Sequence, residues 1–475
     1  MVKVWEPQAT RPVPTGIRAR FHYLIISAFV AMAALVAFGL SPEGLSTEGQ
    51  RVLGVFILCA GLWVTSVIPL QITSILAIIL LPLLKIMPSA EAFSLFGSNA
   101  VFFILGAFIL SAVLVECGLS VRIACLVLER GAFSARSLRN SILLFAAFAS
   151  FWMSEHAVAA MMFPIVAHIV KALGLKPLKS RFGMSFFFAL AWGCVIGGIA
   201  TYLGGARNPL AAGILFSETG IQISFVRWLA ASFPVVAVML IVALLVLNVI
   251  FREEETDMEA ARRVFREERE KLGKLKPRET GIAILTLLTI TAWVLLHNTV
   301  GLGTIALLSV ALMFVFRLTN WDVIEQNVNW GIILMYGGAI ALGSALHSTG
   351  ASTWLVGRIF GGIRLSPLQI LLLLGTTSLV LTEFISNAAV VSVMMPIALE
   401  LAKVNGLPFE VVTFAVALPS GLSYTLPMGT PATAIAYSSG FMTHRDFLRI
   451  GPAMGLASLI VFSLTAKYWW PLLGY

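Results

Sequence analysis

Apolar runs of about 18 residues or more recur along this chain, among them Tyr23–Leu40, Val52–Leu70 and Phe233–Ile250, and each can cross a hydrocarbon core of about 30 Å. Such runs leave a chain few ways to fold. In lipid every backbone N–H and C=O must be satisfied by the chain itself, which leaves helices or a closed barrel. A barrel would show alternating segments of about ten residues, and the sequence has none. The expected class is an all-α polytopic membrane protein. Composition agrees: 59% of the 475 residues are hydrophobic and 12% are charged, about half the charged share of a soluble domain.

The net charge of +9 reads as membrane orientation and contact with anionic lipid. No compact basic module stands outside the apolar segments, so nucleic acid is not an expected partner. Residues 1–20 are polar and basic (Lys3, Arg11, Arg18, Arg20), without the short apolar stretch and small-residue site of a cleavable signal. This places the N-terminus in the cytoplasm of a multi-pass protein, expected in a bacterial inner membrane. Cys59, Cys117, Cys125 and Cys194 lack metal-ligand spacing and read as small buried hydrophobes. The six histidines are scattered. Neither a nucleophile–base pair nor a metal set appears, so the chain does not read as an enzyme.

Two polar breaks inside apolar sequence are copies of one another. Ser154-Glu155-His156-Ala157-Val158 and Ser386-Asn387-Ala388-Ala389-Val390 lie 232 positions apart, and each has a proline ten residues on, Pro164 and Pro396. The same offset carries Gly106, Ala107, Leu110, Leu114 and Gly118 onto Gly338, Ala339, Leu342, Leu346 and Gly350. A second, Gly-rich break follows in each half, Gly197 to Pro209 and Leu426 to Thr433. The expected division is a cytoplasmic segment 1–20, a first inverted repeat 21–251, a charged cytoplasmic linker 252–279 and a second inverted repeat 280–475. The linker region, Arg252–Glu279, holds nine basic and nine acidic residues, with Thr256 and Glu259 as a capping box before an amphipathic helix. By its Lys and Arg, Arg122–Arg139 is expected on the cytoplasmic side as well.

Interrupted hydrophobic segments at matching positions of two halves point to a transporter binding site. Gly and Pro free backbone groups from a helix, and these need protein, ions or cavity water to satisfy them. A helix N-terminus attracts anions, whereas helix C-termini and unwound carbonyls attract cations such as Na⁺. Ser154 and Ser386 suit helix N-caps, and Pro431 suits a first helical turn. Three charge-bearing residues fall at the first half's breaks. Glu155 either neutralises Arg207, or Arg207 and His156 present positive charge to an anion, or Glu155 and His156 relay protons.

These motifs, in order and duplicated over nearly the whole chain, resemble the divalent anion:sodium symporter family of carboxylate and sulfate transporters. Phe151 to Ile165 is similar to its first Ser-Asn-Thr segment and Thr382 to Val390 to the second. Gly197-Gly198 through Asn208 resembles its first Gly-Thr-Pro-Pro-Asn loop, and Gly429-Thr430-Pro431 the second. The resemblance implies about eleven spans, two re-entrant hairpins, a scaffold domain, a mobile transport domain and a homodimer working by an elevator motion. Carried over by position, Ser154, Ser386, Asn387, Thr430 and Pro431 contact substrate. Gly204 and Asn208 belong to a first cation site, and Asn387 and Gly429 to a second.

This sequence departs from the family pattern at Glu155-His156, Arg207, Ala388 and Thr433. A guanidinium at the first cation site disfavours Na⁺ by about 4 kcal/mol at a separation of roughly 4 Å and an effective dielectric of about 20. Na⁺ is therefore expected at the second site before the first, and the tethered cation points to exchange with altered Na⁺ coupling. With Glu155, His156 and Arg207 added to the substrate set, the expectation is a secondary-active carrier of small divalent anions, di- or tricarboxylates first. The rivals are an oxyanion symporter coupled to Na⁺ or H⁺ and a non-transporting membrane receptor or scaffold. Its partners would be a small anion, the lipid bilayer and a second copy of the chain.

Overall fold

The computed structural model describes residues 17–39, 42–361 and 365–475. The fold is all helical, 78% helix, and no strand occurs among the described residues. Eight helices there are long and apolar enough to cross a membrane. Two of them, Phe225–Ile250 and Pro277–Leu295, leave apolar side chains such as Ile241, Leu245, Leu287 and Leu288 exposed, as a lipid-facing surface requires. Asn387–Asn405 and Trp330–Ser348 are mostly buried and form the centre.

Two expectations need correction, one for a span and one for a helix cap. The run Val52–Leu70 is not one span: its helix, Thr47–Thr65, ends at Ser66, which turns left-handed (φ 48°), and a new helix starts at Leu70. Pro69 lacks a backbone N–H and disfavours helix in the residue before it, so apolar character alone cannot carry the helix through. The first helix spans Ile17–Ala34, so Arg18 and Arg20 of the basic N-terminal segment open it, while Lys3 and Arg11 lie outside the described residues. The linker helix Met258–Leu272 is capped by Asp257, whose carboxylate accepts from the Glu259 N–H at 2.9 Å, and not by Thr256. An aspartate one residue nearer the helix satisfies the same free donors.

That helix is also docked on the protein. Ala261, Val264 and Phe265 are buried, and it packs on Leu119–Gly131 and Glu155–Ala172. Arg269 pairs with Glu129 at 2.8 Å, and Arg122 pairs with Glu279 at 2.9 Å.

The same series of helices occurs twice. Leu70–Leu83, Leu119–Gly131, Ala135–Ala149 and Glu155–Ala172 begin 232 positions before Leu302–Val315, Ala351–Phe360, Pro367–Phe384 and Asn387–Asn405. Local backbone repeats as well. Gly118 and Gly350 are both left-handed (φ 83° and 72°), as are Lys85 and Arg317 (φ 55° and 53°). Packing between the halves is reciprocal: Leu70–Leu83 lies on Trp330–Ser348, and its counterpart Leu302–Val315 lies on Asn99–Glu116. Such an exchange is what a pseudo-two-fold relation between halves produces.

Candidate functional site at the paired helix breaks

Serine builds both tips. Ser154 caps Glu155–Ala172, its Oγ accepting from the Ala157 N–H at 3.2 Å, and Ser386 caps Asn387–Asn405, accepting from Ala389 at 3.2 Å. Each cap satisfies one of the helix's unpaired N–H donors and leaves others facing outward.

The Gly-rich breaks fold back onto these tips. The Glu155 N–H donates to the Gly204 carbonyl at 2.8 Å. Thr201 Oγ1 donates to the Phe151 carbonyl at 2.6 Å, and Asn208 Nδ2 donates to the carbonyls of Gly198 (2.9 Å) and Thr201 (2.6 Å). Helix Phe225–Ile250 anchors the loop from behind, with Trp228 Nε1 donating to Ile199 O at 3.2 Å and Ser232 Oγ to Ala200 O at 2.9 Å. In the second half Thr382 Oγ1 donates to Ser420 O at 2.6 Å. Its single proton is then spent, so the Asn387 amide must turn its nitrogen toward Thr382. In that orientation Asn387 donates to Thr382 Oγ1 at 2.7 Å and to Gly429 O at 3.1 Å, and its oxygen accepts from Arg207 Nη1 at 3.0 Å. The first residue of each tip helix therefore bonds a glycine carbonyl of its own loop.

Arg207 joins the two halves. It begins helix Arg207–Thr219 and is fully buried, and it grips both oxygens of buried Glu155, Nη1 to Oε1 at 2.9 Å and Nη2 to Oε2 at 3.3 Å. Nη1 also reaches Asn387. Three glycines make room: a Cβ at Gly205 or Gly421 would collide with the guanidinium, and one at Gly198 would collide with Glu155 Oε2. Of the three open readings for these residues, neutralisation of Arg207 by Glu155 is the arrangement present. His156 lies half-buried with Nδ1 unpartnered, and no hydrogen bond joins it to Glu155, whose two oxygens both go to Arg207.

Two layers result. Glu155, Arg207, Asn208, Asn387 and Thr430 are buried; Ser154, His156 and Ser386 are half-buried, and Pro431 is exposed as the first residue of helix Pro431–Tyr437. Thr430 caps that helix, its Oγ1 accepting from Thr433 N at 3.2 Å while Thr433 Oγ1 accepts from Thr430 N at 3.1 Å. No hydrogen bond or ion pair ties the side chains of His156 or Pro431 to the Arg207 network among the described residues.

Sequence reasoning missed Glu383. It reads as an end-of-segment acid, yet it is buried and organises the second break: its carboxylate accepts from Ser423 Oγ (2.8 Å) and from the backbone N–H of Tyr424 (2.9 Å), Thr425 (2.9 Å) and Leu426 (2.8 Å). An acid in an apolar run always needs a partner, and here the partner is an unwound loop. Tyr468, Trp469 and Trp470 read in the sequence as an interfacial aromatic anchor at the end of the last span, and the structure divides them. Trp470 is buried and donates to Ala231 O at 3.1 Å, so it packs the core, while Tyr468 stays exposed.

The family model for the sodium:sulfate symporter transmembrane region matches residues 19–475. The chain belongs to that family. The sodium-dependent dicarboxylate transporter SdcS of Staphylococcus saprophyticus is 28% identical over 472 residues, covering 94% of this chain and 90% of the relative. SdcS of Staphylococcus aureus strain USA300 is 27% identical over 475 residues, covering 94% and 91%. The family and these relatives are transporters, not enzymes, and the chain is an integral multi-pass membrane protein. Solved structures share the fold at low identity. MtrF of Neisseria gonorrhoeae, from a class described as antimetabolite efflux pumps, gives a TM-score of 0.56 at 13% identity over 95% of this chain and 94% of its own. YdaH of Alcanivorax borkumensis, described as having an unusual topology, gives 0.56 at 12% identity over 95% and 98%.

The relatives' names raise the question of Na⁺, which takes oxygen ligands. At the first break the oxygens fit it poorly: Gly198 O and Thr201 O face the Asn208 amide nitrogen, Gly204 O takes a backbone N–H, and Asn208 Oδ1, buried without a partner, is one free oxygen in a loop that also holds the Arg207 guanidinium. At the second break they fit better. Thr382 Oγ1 and Gly429 O converge on one end of Asn387, and a turn of that amide would set a third oxygen among them.

Proposed function

We propose that this chain is a secondary-active carrier of small divalent anions, dicarboxylates first, with substrate bound across the two serine-capped tips. One observation carries the reading: Arg207, through Glu155 and Asn387, holds together the N-terminal ends of the two tip helices. Facing helix N-termini concentrate N–H donors and positive potential, which suits two carboxylates of one small molecule. The names of the SdcS relatives agree with dicarboxylate as the first substrate to try. Half-buried Ser154 and Ser386 and exposed Pro431 supply the accessible contacts in this reading, with His156 beside them, and Thr430, Glu155, Arg207 and Asn387 the buried lining behind them.

Weak dependence on Na⁺ follows from the charge balance. A carrier that uses Na⁺ at its first break has to bind and release that ion in every cycle. Here the site carries its own cation, already neutralised by Glu155, so no charge is stranded when substrate leaves, and the carrier runs by exchange or facilitated transport without loading that ion. Na⁺, where used, would be held by Asn387, Thr382 and Gly429 and would add positive charge beside the second tip. The two element series are read as inverted repeats, 21–251 and 280–475, joined by the cytoplasmic linker 252–279, with the tips in a domain that moves elevator-fashion within a homodimer.

The test is reconstitution in liposomes with labelled succinate as probe. Counterflow should persist when choline replaces Na⁺, with net uptake reduced by no more than about tenfold. Abolition of both uptake and counterflow by choline would reject exchange, and absence of any succinate movement in either salt would reject the dicarboxylate reading.

A further inference from the structure

The helix that begins at Arg207 ends at a second ionisable cluster. Glu218 lies in its last turn, and its side chain is 2% exposed. Glu400, also 2% exposed, lies on the tip helix that begins at Asn387. Both line one cleft of about 250 Å³. Oε1 of each carboxyl is buried without a hydrogen-bond partner. His347, in the last turn of Trp330–Ser348, places Nδ1 3.9 Å from Glu218 Oε2, and its side chain is 39% exposed. Lys403, exposed, completes the titratable lining; Phe409 is the contribution of Phe409–Ala417, and Glu116 on Asn99–Glu116 is engaged elsewhere by Arg278.

Two carboxylates in a shared buried site do not both ionise readily, since each destabilises the charged form of the other. Helix C-terminal ends add negative potential, which further favours a bound proton and favours cations at the mouth. The arrangement has that layout: carboxyls on the floor, an imidazole and an ammonium at the solvent edge. We propose that the Glu218–Glu400 pair is a proton-binding site, exchanging with solvent past His347. The step is simple protonation: one proton from hydronium forms an O–H bond on one carboxylate, water is released, and the charge of the pair goes from minus two to minus one.

The site sits where it can sense transport. Arg207–Thr219 and Asn387–Asn405 meet at Arg207 and Asn387 at one end and carry Glu218 and Glu400 toward the other, about 16 Å along the first helix at 1.5 Å per residue. Any shift of one helix against the other changes the carboxyl separation and therefore the proton affinity. By reciprocity, proton binding biases the position of the tips. This coupling rests on the carrier reading above; the proton site itself does not.

Infrared difference spectra of the purified wild type between about pH 9 and about pH 6 should show a protonated-carboxyl C=O band. In separate Glu218→Gln and Glu400→Gln variants that band should be lost or fall at least about twofold, and Lys403→Gln should move its midpoint to higher pH. Circular dichroism of each variant confirms helical content, and the isosteric amides keep the fold testable. An unchanged band in both Gln variants overturns the proton site, whatever transport shows. In liposomes, succinate uptake by the wild type should vary with pH and that dependence should flatten in Glu218→Gln. A carboxyl band that responds to the variants beside succinate uptake that ignores pH keeps the site and overturns the coupling. A responsive band with no succinate uptake at any pH overturns the dicarboxylate reading alone.

Discussion

Arg207 Nη1 donates to the amide oxygen of Asn387 at 3.0 Å while the same guanidinium grips Glu155, so one side chain from the first half fixes the leading residues of both tips. Arg207 and Glu155 are both buried. Removing one member strands a charge where water cannot reach it.

Arg207→Ala should therefore lower stability by about 3–5 kcal/mol, because Glu155 is left unpaired. Arg207→Ala combined with Glu155→Gln should regain much of that loss, since no buried charge remains. Thermal unfolding of the two variants measures the difference. Stabilisation by added succinate should be weak in both.

Gly421→Ala places a methyl group inside the Arg207 guanidinium. Overpacking of this kind costs about 1–3 kcal/mol, and here relief requires moving the ion pair. The expected result is a lower unfolding temperature together with weaker succinate binding in calorimetry. Gly357→Ala, with open space at its Cβ position and mid-helix in Ala351–Phe360, should change neither or raise stability slightly.

Glu383→Gln keeps shape but replaces two charged acceptor oxygens with one neutral one, against four donors. Hydrogen bonds to a charged group contribute about 1.5–3 kcal/mol each at most. Hydrogen exchange should speed up at the amides of Tyr424, Thr425 and Leu426, with the amides of Thr201 and Leu203 in the first half unaffected.

Sodium should act at one break only. Asn387→Ala should abolish thermal stabilisation by NaCl over choline chloride, whereas Asn208→Ala should lower stability in both salts equally, since its amide braces loop carbonyls. Loss of the Na⁺ response in Asn208→Ala with retention in Asn387→Ala would reverse the assignment.

Much of the site was legible because its parts are local. Serine before a helical run, glycine and proline inside apolar sequence, and a constant 232-residue offset all declare themselves without a partner in view. Buried charge also has to be paired, which brought Glu155 and Arg207 together as one of three options. What stayed hidden depends on distant chain. Gly421 looks like any loop glycine until Arg207 is placed against it, and Glu383 looks like an end-of-helix acid until residues 423–426 wrap its carboxylate. The Val52–Leu70 run failed differently: hydropathy is blind to the Ser66 turn and Pro69, where backbone geometry overrides apolar character.

The reciprocal packing of Leu70–Leu83 on Trp330–Ser348, and of Leu302–Val315 on Asn99–Glu116, has a consequence for biogenesis. Neither half can finish its own interior as it leaves the translocon. The early helices must wait in the bilayer, loosely held, until the ribosome has delivered the late ones. Two separately expressed halves, cut within the linker, should then find each other in the membrane, since each is the template the other lacks.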